Sequence, residues 1–145
     1  MIRCIFEHGN EGFLRHAVVD VLVLKDNKLL LVKRTAKLLE GGKWALIGGF
    51  MERDETLEEA VKREILEESG WEVEDVNLLR VIDSPKRRNE DRQNVSFVYV
   101  CTATQKVGEP DWESDDQRWF GWDELPALEE IAFDHADIIA AYRET

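Results

Sequence analysis

The sequence predicts an α+β fold in which helices pack on a mixed β-sheet, and three observations lead to this class. The chain has 145 residues, 43% of them apolar, which suits one domain over residues 1–145 with a core of its own. Most patterned segments are strand-like. Only two segments, one early and one late, are helical in pattern, and this order is typical of α+β proteins.

The strands are predicted from apolar alternation and from the turn residues between them. The first two flank a turn-like KDNK run and form a hairpin, while the third ends at Gly48-Gly49 after a glycine-containing loop. The predicted strands span residues 15–24, 29–34, 43–47, 76–82, 94–103 and 117–122.

The helix at 56–70 has the clearest boundaries in the sequence. Thr56 and Glu59 form a capping-box pair at its start, and Gly70 provides a C-terminal stop. A second helix is predicted at 134–142 with Asp134 as its N-cap.

The composition restricts the classes of function. Acidic residues outnumber basic ones by 31 to 19, and the net charge of −12 argues against sequence-independent binding to duplex nucleic acid. A small phosphate-bearing substrate is compatible with this charge if metal ions mediate the contact. We expect no signal peptide and no membrane attachment, because no apolar run approaches the roughly 20 residues of a membrane helix. Cys4 and Cys101 have neither disulfide nor zinc spacing, and we expect a reducing, cytoplasmic location.

The core-facing stripe of the helix at 56–70 begins apolar and ends acidic. On a helical wheel Glu64 and Glu68 fall in the middle of the stripe and Glu67 at its edge. These carboxylates would lie within about 6 Å of one another at Cβ and would repel without a cation between them. Clustered oxygen ligands suit Mg²⁺, with Mn²⁺ as a substitute. The apolar part of the stripe consists of Leu57, Ala60, Val61 and Ile65.

Two simpler interpretations of these residues compete with a metal site. The acids could form a solvated face, which is disfavoured because unpaired charges toward a core are costly. Arg63 could orient one of the acids, or it could be an exposed arginine.

The segment GFMERDETLEEAVKREILEESGW resembles the Nudix box, G-x5-E-x7-R-E-U-x-E-E-x-G-U with U bulky and apolar. Trp71 stands at a position where aliphatic residues are commoner, Ile47 stands where a proline often precedes the paired glycines, and Asp54 stands where a glycine is usual. The fixed positions are filled by Gly49, Glu55, Arg63, Glu64, Glu67, Glu68 and Gly70.

The resemblance implies a Nudix fold, a mixed sheet between helices, and hydrolysis of a nucleoside diphosphate linked to another moiety. It implies Mg²⁺ held by Glu64, Glu67 and Glu68 with the carbonyl of Gly48, while Glu55 and Arg63 orient helix and loop. The general base is left open between Glu67 and an acid of a later loop. That loop contains Glu113, Asp115 and Asp116, and it could equally be a solvated turn.

The segment that follows the Nudix box suggests the substrate. Pro85 follows Gly70 by fifteen residues, and within the family this spacing resembles the ADP-ribose pyrophosphatase subgroup, although Pro85 could simply shape a turn. The basic residues near it could contact phosphate or belong to a solvated loop. They are Lys86, Arg87, Arg88 and Arg92, and candidates for stacking on a base are Phe50, Trp112 and Trp119.

The leading interpretation is an enzyme that cleaves ADP-ribose to AMP and ribose 5-phosphate. A nucleoside triphosphate pyrophosphatase and a non-catalytic nucleotide-sensing Nudix domain are the alternatives. Catalytic motifs that use a nucleophilic serine or cysteine, or a zinc-binding HExxH, do not occur. Dimers are common in the resembled subgroup, so a homodimer is also expected.

Overall fold

A seven-stranded mixed sheet with one helix on each face forms the body of the structure. The computed structural model describes all residues, 1–145. The elements in chain order are β1 (Ile2–Ile5), β2 (Glu11–Leu14), β3 (Ala17–Lys25), β4 (Lys28–Arg34), β5 (Trp44–Ala45), β6 (Ile47–Phe50), α1 (Leu57–Ser69), β7 (Trp71–Ile82), β8 (Val95–Lys106), β9 (Ser114–Gly121) and α2 (His135–Arg143), with a short 3₁₀ turn at Leu128–Glu130.

Strand β3 lies at the centre of this sheet. It pairs in parallel with β8 and antiparallel with β4 and β6, and the order across the sheet is β5-β4-β3-β8-β7. Strand β9 pairs with β4. Because β3 is covered on both faces, it reads as a nearly continuous apolar run rather than as an alternating one.

Two apolar clusters fix the helices to opposite faces of the sheet, which confirms the predicted arrangement of a mixed sheet between helices. Helix α1 packs Ala60, Val61 and Ile65 on the alternate β3 side chains that face it. Helix α2 packs Ile138 and Ile139 on the opposite face, among Leu22, Leu29 and Leu31.

The caps predicted for the first helix are confirmed. The Thr56 hydroxyl accepts from the backbone N–H of Glu59 at 3.3 Å, and the Glu59 carboxylate accepts from the N–H of Thr56 at 2.7 Å. Gly70 closes the helix in the left-handed region at φ 75°, with its N–H bonded to the Leu66 carbonyl.

The predicted strand at 43–47 is broken in two, and a hydrogen bond explains the break. Between β5 and β6 the N–H of Leu46 leaves the ladder and donates to Nδ1 of His135 at 3.0 Å. Gly48 and Gly49, expected to follow the strand, lie inside β6 opposite β3.

Asp134 stands at the N-cap of α2 as predicted, but its side chain makes no capping hydrogen bond. Its carboxylate binds Arg87 instead, at 2.7 and 2.8 Å. A side-chain N-cap is typically worth about 1 kcal/mol, so the helix gives up that contribution for a contact with another part of the chain.

Other strands extend beyond the predictions. Strand β7 begins immediately after Gly70, and β9 begins at Ser114, so most of the expected acidic loop is strand. The β1–β2 hairpin was not predicted, and it forms a two-stranded sheet separate from the main one. Both cysteines are free, and neither helix has the length and apolarity needed to cross a membrane.

We expect Gly70→Ala to destabilise the protein more than Gly42→Ala does. Both glycines have positive φ, 75° and 81°, where any side chain costs about 1–2 kcal/mol. A Cβ at Gly70 would in addition overlap the backbone of Gly108, whereas a Cβ at Gly42 meets nothing within 4 Å. Urea unfolding of the two variants measures the difference, and equal losses would show that the Gly108 backbone moves aside freely.

Candidate active site

A polar cleft of about 380 Å³ lies where α1, β6 and the segment before β8 meet. Residues from seven separate stretches of the chain line it, and many of them are charged. Its lining includes the paired glycines, one phenylalanine and most of the charged and polar side chains of this region: Asp20, Arg34, Gly48, Gly49, Phe50, Arg63, Glu64, Glu67, Arg87, Glu90, Arg92, Asn94, Glu113 and His135.

Arg63 links the segment between β6 and α1 to the helix by hydrogen bonds. Its Nε and Nη2 donate to the two oxygens of Glu55 at 3.0 and 2.7 Å, and Nη2 also reaches the Phe50 carbonyl at 2.9 Å. Its Nη1 donates to Glu64 at 2.8 Å and to Glu67 at 3.3 Å. A fork of five donors matches this many acceptors, and lysine has no equivalent geometry.

The carboxylates of α1 differ in burial in the order that the helical wheel predicts. Glu68 is 6% exposed, and burial, followed by the nearby charges of Glu64 and Glu113, raises its pKa well above the ordinary value. Burial likewise raises the pKa of Glu64. Glu67 is half exposed at the rim of the cleft. A Cβ at Gly49 would overlap the Glu64 carboxylate, so any larger residue here would displace that side chain.

The donor set fits a hard divalent cation, although no three of these groups converge in coordinating geometry in the structure. Arg63 draws Glu64 and Glu67 toward itself. Glu68 is nearly buried, and only burial and the charges of its neighbours shift its pKa, with no hydrogen bond among the causes. A buried carboxylate without a hydrogen-bond donor, beside further carboxylates, is the environment that an oxygen-seeking cation stabilises.

The three acids of the expected later loop are separated by the start of β9. Glu113 lines the cleft, and its pKa is raised by burial and by Asp111. Asp115 and Asp116 are exposed on the strand, and Asp116 lies 3.7 Å from Arg118. The structure therefore brings only Glu113 to the cleft.

The basic cluster is separated in the same way. Arg87 and Arg92 line the cleft, whereas Arg88 points away and pairs with Asp137 at 2.9 Å. Pro85 is exposed outside the cleft lining.

Among the three aromatic candidates for stacking, only Phe50 lines the cleft. The His16 ring lies 4.6 Å from its centroid, and the Arg92 guanidinium lies 5.3 Å from it. Trp112 is 65% exposed outside the cleft, and Trp119 packs edge-on against Trp71 at 5.4 Å.

Arg34 is a cleft residue that the sequence analysis did not single out. It ends β4, its Nε donates to the Leu39 carbonyl at 2.8 Å, and its guanidinium stacks on Phe133 at 5.0 Å. Burial lowers its pKa, which the nearby charges of Glu68 and Glu113 oppose. An arginine ending an apolar strand gives no local signal that it faces a cleft.

Asp20, which the sequence analysis also did not single out, pairs with His135 in the cleft. Nδ1 of His135 accepts from the Leu46 N–H, and Nε2 lies 3.2 Å from Asp20, so both ring nitrogens have partners within the protein. Burial would raise the pKa of Asp20, but contacts with His135, Arg87 and Ser96 outweigh it and hold that pKa well below the usual range. The signal for Asp20 was present in the sequence as one acid inside an apolar strand.

Comparison with known proteins identifies the family. A model of the NUDIX domain matches residues 14–142. The chain is 41% identical to an ADP-ribose pyrophosphatase of Methanocaldococcus jannaschii, over 90% of this chain and 75% of that protein.

Solved structures agree with this result. A NUDIX hydrolase from Nitrosomonas europaea superposes with a TM-score of 0.79 at 30% identity, covering 94% of this chain and 75% of that one. The NUDIX domain of Shewanella oneidensis NrtR, complexed with ADP ribose, gives 0.70 at 26% identity, covering 92% and 89%. The chain therefore belongs to the Nudix family. Within that family it is a Nudix pyrophosphohydrolase.

We expect Glu68→Gln to raise the melting temperature in chelator at pH 8. The folded protein holds the Glu68 proton more tightly than the unfolded chain does, so ionisation above the raised pKa destabilises the fold. The gain should be a few degrees, since about 1 kcal/mol shifts the midpoint by about 2–4 °C in a chain of this size. It should shrink as the pH falls toward the ordinary value of 4.5.

Glu58→Gln, on the exposed side of the same helix, is the matched control and should show no such pH-dependent gain. A Glu68 variant that melts below the parent at every pH would mean that the ionised carboxylate has a stabilising partner.

Proposed function

We propose that this protein hydrolyses the pyrophosphate bond of ADP-ribose, giving AMP and ribose 5-phosphate, with Mg²⁺ as the metal and Mn²⁺ as a substitute. The observation that carries this proposal is that one cleft joins the carboxylates of α1 to the buried guanidinium of Arg87. A cation-binding set next to an anion-binding set suits a substrate with two linked phosphates. The named activity of the archaeal relative supports the choice of ADP-ribose.

The metal ligands would be Glu64, Glu67 and Glu68, with the carbonyl of Gly48. Divalent ions bound there would neutralise charge on the phosphate oxygens and favour ionisation of a water. Contacts with Arg63 orient Glu64 and Glu67, and Glu55 holds Arg63 in place. Glu55 and Arg63 thus act on the cleavage through the carboxylates rather than through the substrate.

Two carboxylates can serve as the general base. Glu67 is half exposed at the rim, where it can reach water, and it accepts a hydrogen bond from Arg63 at 3.3 Å. Glu113 also lines the cleft, and its raised pKa suits it to accept a proton. We therefore favour Glu113 over Asp115 and Asp116, which lie outside the cleft.

The substrate contacts would come from the arginines that line the cleft and from Phe50. Arg34 lies near Glu68 and Glu113, so its charge offsets theirs and can meet a phosphate at the metal end. Arg87 and Arg92 lie on the segment before β8 and can meet the second phosphate or the ribose hydroxyls. Phe50 offers an apolar surface for the base.

Metal removal should abolish turnover. Excess chelator should stop ADP-ribose cleavage, and Mg²⁺ or Mn²⁺ should restore it, as product chromatography will show. Glu68→Gln should lower turnover by orders of magnitude because one ligand of the charge-neutralising ions is lost. Glu58→Gln should stay within a few-fold of the parent, and undiminished turnover in chelator would refute the metal site.

ADP-ribose should be cleaved with a higher kcat/KM than any common nucleoside triphosphate. A panel of ADP-ribose and the four triphosphates, incubated with Mg²⁺, distinguishes the alternatives by product. AMP with ribose 5-phosphate supports the proposal. A preference for a triphosphate with release of pyrophosphate would reassign the enzyme, and binding without product would indicate a sensor.

A further inference from the structure

Two carboxylates from distant parts of the fold hold the guanidinium of Arg87. The carboxylate of Asp134 accepts hydrogen bonds from its Nε and Nη2 in a bidentate ion pair, at 2.8 and 2.7 Å. Asp20, on the central strand, lies 3.4 Å from Nη2. The Arg87 side chain is 4% exposed although it lines the cleft, and its hydrogen bonds within the protein come from Nε and Nη2.

Asp20 is itself held rigidly. Its Oδ1 faces Nε2 of His135 at 3.2 Å, and its Oδ2 accepts from the Ser96 hydroxyl. His135 is fixed in turn by the Leu46 N–H, at the break between β5 and β6. The position of Arg87 is therefore set by the sheet and by the start of α2, not by its own exposed segment.

The network departs from ordinary local rules at three points. An acid lies inside the apolar central strand, an N-cap aspartate leaves its helix uncapped, and a strand is interrupted. Departures of this kind are expected where a functional group has to be held in place. All three lead to the guanidinium of Arg87.

We propose that Asp20 and Asp134 are positioning residues that hold Arg87 ready to bind an anionic group of the substrate. They determine how tightly substrate binds and not how fast the bond breaks. The inference rests on the proposed function, because it takes the ligand to be a diphosphate such as ADP-ribose. When the guanidinium is already fixed, a charge-assisted hydrogen bond to the ligand costs little side-chain conformational entropy on binding.

Asp20→Asn tests this selectively. The asparagine oxygen can still accept from His135 and its amide can still donate to Ser96, but that amide opposes the Nη2 donors of Arg87. We expect KM for ADP-ribose to rise about tenfold, the change for one charge-assisted hydrogen bond, with kcat within about threefold of the parent. An unchanged KM, or a loss confined to kcat, would overturn the proposal.

Asp137→Asn is the matched control. Asp137 also binds an arginine of this segment, Arg88, at 2.9 Å, but both side chains are largely exposed and lie outside the cleft. Exposed pairs contribute little, so KM should not change. If Asp20→Asn does not fold, Asp134→Asn, at the edge of the network, should show the same rise in KM.

A double-mutant cycle separates positioning from a general structural role. Arg87→Gln should raise KM, and adding Asp20→Asn to it should raise KM little further, because Asp20 acts through Arg87. A double variant whose rise in KM equals the product of the two single rises would overturn the proposal. Calorimetric titration with ADP-ribose in chelator gives Kd without turnover. A parent that binds ADP-ribose in chelator but does not cleave it when Mg²⁺ is supplied would refute the proposed function alone, and one that neither binds nor cleaves would refute both.

Discussion

The crowding of carboxylates on the core-facing side of α1 is the constraint around which the rest of the cleft is built. An acid buried as deeply as Glu68 opposes folding through both desolvation and repulsion by its neighbours. The structure relieves part of this cost with guanidinium groups, Arg63 on one side and Arg34 on the other. Glycine at position 49 lets the β6 backbone lie directly against the Glu64 carboxylate.

A second charged network lies on the other side of the same cleft, and it uses the sheet instead of a helix. The acid in β3 is compensated by an arginine, a hydroxyl and an imidazole, so its charge is kept and not neutralised by a proton. The two networks differ in this respect. Glu64 and Glu68 have raised pKa values and gain from a cation, while Asp20 already has its partners within the chain.

Sequence patterns predicted what depends on neighbours in the chain. The capping box, the left-handed Gly70 and the inward phase of Glu64 and Glu68 all follow from spacings of three and four residues, and each is present. The break at Leu46 could not be predicted, because its cause is a histidine 89 residues away. Neighbouring arginines look alike in sequence, yet Arg87 points inward and Arg88 outward, because their acidic partners on β3 and at the start of α2 lie far away along the chain.

The long outer strand β7 also has a consequence for colloidal behaviour. It pairs only with β8, it runs for 12 residues, and it exposes Leu78 and Val81, which would make a straight strand a template for aggregation. Its register shifts three times against β8, and Asp75 adopts a positive φ of 52°. These irregularities twist the free edge away from the flat geometry that a second strand needs. The protein thus keeps an apolar margin exposed without offering a continuous ladder for cross-β growth.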